Sequence, residues 1–271
     1  MAIPDSVGAK LKWARKHMDA AKHAVDVFIE GKPYAVGREL EDEGAKHVYR
    51  FTRYLEPPTE IGLKVGDAVH NLRSSLDHLA LALARKGAEA QGIKMTPKEE
   101  TRIQFPIAST PDHFKDQIGS GRLKYVDASA VEEISWLQPF RHGDNFATAT
   151  LWCIRELDDA DKHRKLATLG CVVRDLSSIT LPPGMPEPAS TFPRDGWGLG
   201  AVVVAYVFPA PHPEVDMQFK PTFAVALEEA WPPTRPLYDV LRGYVEYVEE
   251  YVVGSLAERF LEGPGTHDPA P

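Results

Sequence analysis

Apolar residues recur in alternating steps of four and three near the start of the chain: Val7, Leu11, Ala14, Met18, Ala21, Val25 and Phe28. That spacing predicts a helix over 6–30 with one packed stripe. Asp5 and Ser6 are placed to cap it, and Gly31 and Pro33 to end it. Residues 47–54 (HVYRFTRY) have the composition of a strand. Pro57-Pro58-Thr59-Glu60 then opens a helix over 60–87, about 40 Å long at about 1.5 Å per residue. In the loop-rich stretch that follows, Ser109-Thr110-Pro111 starts a short helix with proline at a tolerated first position. Ser129 with Glu132 forms a capping-box pattern for another. A longer helix covers 147–166. Strand-like runs follow at 169–174 with 179–181, at 199–208 and at 217–227. The last helix, 236–261, carries an inner stripe (Leu237, Leu241, Val245, Val248, Val252, Leu256, Phe260) and an outer one (Tyr244, Tyr247, Tyr251). Two stripes predict burial on two sides, the second against another copy of the chain.

The pattern predicts an α+β fold: a helical bundle with a small antiparallel β-sheet built from the later strands, joined by 47–54. One domain spans 1–262. Its bundle core is 6–30, 60–87, 147–166 and 236–261, with a β insertion over 167–229 and a disordered tail at 263–271. Length and composition agree, since 43% hydrophobic and 26% charged residues describe an ordinary globular chain. No leader pattern and no apolar run of membrane-spanning length is visible, and Cys153 and Cys171 make no disulfide framework. The expected compartment is cytoplasmic, with no membrane partner. The net charge of −8 is uneven: residues 214–262 carry 10 acids against 4 Lys/Arg, whereas the first helix is basic. An acidic chain is a poor non-specific binder of nucleic acid, but a local basic site remains open to it.

The helix over 60–87 alters this plain picture. At about 100° per residue, Val69, Leu72, Leu76, Leu79 and Leu83 form a tight apolar face. Opposite lie Arg73, Asp77, His70, Ser74, Asp67, His78 and Asn71. A merely solvated face favours Lys, Glu and Gln, and none occurs between Lys64 and Arg85. Short polar side chains compete with the backbone for hydrogen bonds and weaken a helix, so something must compensate. A buried network bracing helices would do so, with Arg73 and Asp77 as an ordinary i,i+4 pair. A ligand or catalytic site would do so too. In the run 157–164 (LDDADKHR), Asp161 points to the apolar side and should meet a cation or donor of the long helix: Arg73, His70 or His78. Arg155, Asp159 and His163 share another face, which reads as a surface charge ladder.

The segments GDAVHNLRSSLDHLA (66–80), FPI (105–107), LQPF (137–140) and LDDADKHR (157–164) together resemble a family of uncharacterised bacterial proteins common in actinobacteria. That resemblance covers most of the chain and implies no particular activity. Arg73-Ser-Ser-Leu-Asp-His78 also resembles the Arg-x4-His signature of the HEPN superfamily of helical-bundle proteins. Many of these are metal-independent ribonucleases of toxin and defence systems that act as dimers. The resemblance implies that His78 is the acid/base or orients the attacking 2′-hydroxyl. It implies that Arg73 holds the scissile phosphate, with Asn71 and Ser74 assisting. His70, Asp77 and Asp161 are the remaining expected binding residues. On an ideal wheel Arg73 and His78 stand about 140° apart and converge only around a ligand in a groove. The expected function is therefore an HEPN-like endoribonuclease or nucleotide-binding protein, without a cofactor, whose partner is RNA or a nucleotide and which forms a homodimer. A metal-dependent hydrolase using His70, Asp77, Asp161 and His163 is one alternative. A non-enzymatic dimeric binding protein is the other.

Overall fold

The stripe of the first helix is its buried face. In α1 (Asp5–Glu30), Val7, Leu11, Ala14, Met18 and Ala21 are all buried. Pro4, rather than Asp5 or Ser6, precedes its first turn, and no side chain caps it. A computed structural model describes residues 3–162, 169–175, 181, 183–191, 198–215, 221–227 and 235–261. The architecture is α+β, a helical bundle with a small antiparallel sheet.

After α1 a hairpin forms from β1 (Tyr34–Glu41) and β2 (Lys46–Tyr54). Its turn bends through Asp42, Glu43 and Gly44, with φ of 51°, 55° and 94°. Only the second of these strands has a clear strand signature. The long helix α2 (Thr59–Ala90) buries Val65, Val69, Leu72, Leu76, Leu79 and Leu83, and makes the largest helix–helix interface with α1. Short helices α3 (Pro97–Glu100), α4 (Pro111–Gly119) and α5 (Ala128–Trp136) follow. Thr110 caps α4, accepting from the His113 N–H at 3.1 Å, with Pro111 in the first turn. For α5 the cap is Asp127, which accepts from the Ser129 N–H at 2.9 Å, so the Ser129–Glu132 box does not form. A 3₁₀ run (Pro139–Thr148) leads into α6 (Thr150–Lys162).

The later strands divide between two sheets instead of forming one. β4 (Ala189–Thr191) and β5 (Val202–Val207) extend the early hairpin into a four-stranded antiparallel sheet of order β1-β2-β5-β4. Among the described residues, β3 (Leu169–Asp175) pairs only with β6 (Thr222–Leu227). Phe223 of that ribbon packs on Tyr34 and Phe51, with ring centroids 5.3 and 5.5 Å away, and so joins the two sheets. The final helix is α7 (Leu237–Glu246), a π-helical stretch (Tyr247–Gly254) and α8 (Ser255–Phe260) without a break. Its inner stripe is buried at Leu237, Leu241, Val245, Val248, Val252 and Leu256. Of the outer one, Tyr244 is buried and Tyr251 is exposed. Both cysteines are buried thiols outside any disulfide, and among the described residues no helix is long and apolar enough to cross a membrane. His163, residues 179–180 of the expected strand at 179–181, the start of that at 217–227 and the tail at 263–271 lie outside the described residues.

Two glycines test the packing. At Gly87 of α2 a Cβ would run into the backbone carbonyl of Tyr125, whereas a Cβ at Gly8 of α1 meets nothing within 4 Å. Gly87→Ala should therefore destabilise by about 3 kcal/mol, the upper part of the range for forced overpacking. Gly8→Ala should stabilise by about 0.5–1 kcal/mol through helix propensity. Urea unfolding of both variants checks the pair, and equal effects would contradict this packing of α2.

Candidate anion-binding site

Between α3 and α4 the chain runs extended and buried through Phe105, Pro106, Ile107 and Ala108. Among the described residues no strand pairs with this segment, so its peptide groups need other partners. Side chains from four directions supply them. Asp77 of α2 accepts from the Phe105 N–H at 2.8 Å, and Arg73, one turn earlier, donates to the Phe105 carbonyl at 2.9 Å. Gln138, fully buried, accepts from the Ala108 N–H at 3.0 Å and donates to the Pro106 carbonyl at 2.9 Å. Arg155 of α6 donates to the Ile107 carbonyl at 3.0 Å, and Gln117 of α4 donates to the same oxygen at 3.1 Å.

The motifs at 66–80, 105–107, 137–140 and 157–164 thus meet at one place. The polar arc of α2 is short-chained because its neighbours are close. Arg73 and Asp77, 2.8 Å apart, form the i,i+4 pair that the spacing suggests, and both also hold the extended segment. Arg155 and Asp159, 3.4 Å apart, repeat this arrangement on α6. Of the surface ladder expected there, Arg155 and Asp159 are half-buried, because α6 turns that face toward the extended segment.

Where the two pairs face each other they enclose a polar cavity of about 190 Å³. Arg122 reaches in from the loop after α4, and Gln104, Ile107, His113 and Gln117 complete the lining. Arg122 donates to Gln117 Oε1 at 3.1 Å, and among the described residues no carboxylate lies within salt-bridge distance of it. Burial is the main influence that pushes the Arg122 pKa down, and the neighbouring positive charge of Arg73 adds to it. A guanidinium does not surrender its proton in a protein, so the strain is borne as unfavourable charge. Gln117 has its oxygen on Arg122 and its amide on the Ile107 carbonyl. The same Nε2 lies 2.8 Å from His113 Nε2 and assigns that ring nitrogen as an acceptor. Burial, then the charges of Arg155 and Arg122, hold the His113 pKa below its ordinary 6.5, in keeping with a neutral ring.

The remaining expected residues scatter around α2. His78 lines a different, open cavity with Pro4, Ser6, Arg85 and Leu261, whereas Arg73 lines the polar one. His70 Nδ1 lies 2.9 Å from Asp158 Oδ1, and Asp158 is buried. The acid of α6 that hydrogen-bonds α2 is therefore Asp158. Asp161, one turn later, lies against Gly66, where a Cβ would come within 2.7 Å of its carboxylate. Asn71 donates to the Asp67 carbonyl of its own helix, and Ser74 is half-buried. His70 and Asp77 do not converge as metal ligands, since i,i+7 places them two turns, about 10 Å, apart. Among the described residues no group of three His, Cys, Asp or Glu side chains is placed to hold a metal ion.

Arg122, His113 and Gln117 were not among the candidates, and no periodicity marks them. Compared with known proteins, the chain matches no family model, no curated protein and no solved structure, so function must be argued from the site itself.

His113 gives a test of the cavity's electrostatics. Its pKa is lowered in the fold, so the unfolded chain takes the proton first. Its contribution to stability is full above about 6.5 and is lost as pH falls below that value. The ring should titrate below 6.5 by NMR; a midpoint above 6.5 would contradict both its burial and its exposure to the Arg155 and Arg122 charges.

Proposed function

We propose that this chain binds a small anionic ligand in the cavity between α2, α4 and α6, and that Arg122 is its principal anchor. One observation carries the reading: a half-buried guanidinium with no carboxylate of its own among the described residues faces a polar cavity that two further arginines line. Planar guanidinium forks suit carboxylate and phosphate oxygens. Arg73 and Arg155 each donate to the extended segment and stand beside an aspartate, so they frame the cavity; Arg122 supplies open donors, and the buried Nη1 of Arg73, which makes no hydrogen bond among the described residues, adds one more. The reading belongs with the binding-protein expectation.

Small oxyanions should raise the unfolding temperature of the full chain. A ligand at about 100 times its Kd adds about 2.7 kcal/mol. At equal ionic strength, at least one of acetate, phosphate and sulfate should stabilise the wild type, and Arg122→Gln should lose that response while keeping its circular dichroism. Equal responses in the two proteins would remove the proposal.

The ribonuclease reading makes a different demand. Arg73 faces this cavity and His78 does not, so a second copy would have to bring an acid/base to Arg73. RNA as partner and the homodimer therefore stand together. Exposed Tyr251, its ring stacked on Tyr247 with centroids 5.8 Å apart, is the surface that a second copy would cover. A dimer that cleaves single-stranded RNA in chelator, and that slows about 10²–10⁴-fold in His78→Ala, would favour this reading over simple binding. A monomer by sedimentation at micromolar concentration would remove it.

A further inference from the structure

The two carboxylates of the cavity are held in different ways. Asp77 accepts from the Phe105 N–H at 2.8 Å as well as pairing with Arg73, so it belongs to the frame. Asp159 pairs with Arg155 through one long contact of 3.4 Å, and its side chain is 49% exposed. It stands on the solvent side of the cavity. Counting formal charges, Arg73, Arg122 and Arg155 oppose Asp77 and Asp159, which leaves one uncompensated positive charge. His113 adds none while its Nε2 faces the Gln117 amide. A ligand with one negative charge neutralises that excess. A second negative charge would have no cation to meet and would lie near Asp159.

From this we infer that Asp159 restricts the cavity to singly charged groups, and that the natural ligand enters by a carboxylate. The inference rests on the cavity being an anion site and specifies what that site accepts. About 190 Å³ is room for one compact end group of the ligand. Charge argues against a terminal phosphate monoester, which carries about −1.5 to −2 at neutral pH. A carboxylate brings one charge and two oxygens to the open face of Arg122.

Methanesulfonate and sulfate provide the test, being near-isosteric tetrahedral anions with one and two charges; acetate is the carboxylate probe. Calorimetric titration of the full chain at pH 8 should give tighter wild-type binding of acetate and methanesulfonate than of sulfate. Asp159→Asn raises the net charge of the cavity by one, and should improve sulfate affinity about tenfold relative to methanesulfonate. Asp159→Glu keeps the charge and should keep the wild-type order. Sulfate binding as tightly as methanesulfonate in the wild type, or an unchanged ratio in Asp159→Asn, would overturn the charge filter while leaving the anion site standing. Should none of the three anions bind the wild type, or should Arg122→Gln bind them equally well, the anion site itself falls and the filter with it.

Discussion

The peptide groups of Phe105 to Ala108 impose the constraint on which the centre of this molecule depends. An extended segment threads the interior without a neighbouring strand among the described residues, and each buried polar group left unpaired would cost about 1–3 kcal/mol. Arg73, Asp77, Gln138, Arg155 and Gln117 meet that requirement from α2, α4, α6 and the turn after α5. Holding the segment lets Phe105 and Ile107 fill the core beside Leu72, Leu76 and Ile154. It also brings arginines from two helices to one spot. A guanidinium has five donors and a carbonyl takes only one or two, so arginines recruited to brace a backbone bring donors beyond those the backbone uses. The cavity is the by-product of that bracing, and Arg122 gives it an excess of positive charge.

The same geometry explains why α2 has so unusual a polar face. Its residues serve different neighbours in turn: Asp67 lies 3.5 Å from His17 of α1, His70 meets Asp158 of α6, and Arg73 with Asp77 holds the extended segment. Long, mobile side chains would not fit such close approaches. At Gly66 even a methyl group would press on Asp161. Bracing and binding are therefore consequences of one arrangement rather than competing accounts of it.

Much of this was legible in the sequence. The helices of the bundle, the buried stripe of α1, the apolar face of α2 and the abnormal polarity opposite it all follow from periodicity. So does the Arg73–Asp77 pairing. β1 was missed because Gly37 and its charged residues blur any alternation. That glycine is there because a Cβ would collide with Thr52 on β2. Arg122, His113 and Gln117 escaped notice because a loop and a short helix bring them to the cavity by tertiary packing, which leaves no spacing to read. The helical wheel placed Asp161 on the apolar side but could not show that Asp158, one turn back, makes the hydrogen bond to α2. Nor could it show that Arg73 and His78, 140° apart on an ideal wheel, open onto separate cavities.

The central claim is that the cavity enclosed by Arg73, Arg122 and Arg155 receives an anion. Crystals soaked in perrhenate, a tetrahedral monoanion with a strong anomalous signal, test it most directly. The account predicts an anomalous peak within hydrogen-bond reach, about 3 Å, of the Arg122 guanidinium, and no peak there in Arg122→Gln crystals soaked in the same way. Ordered perrhenate elsewhere on the molecule, with only water density in this cavity, would contradict it.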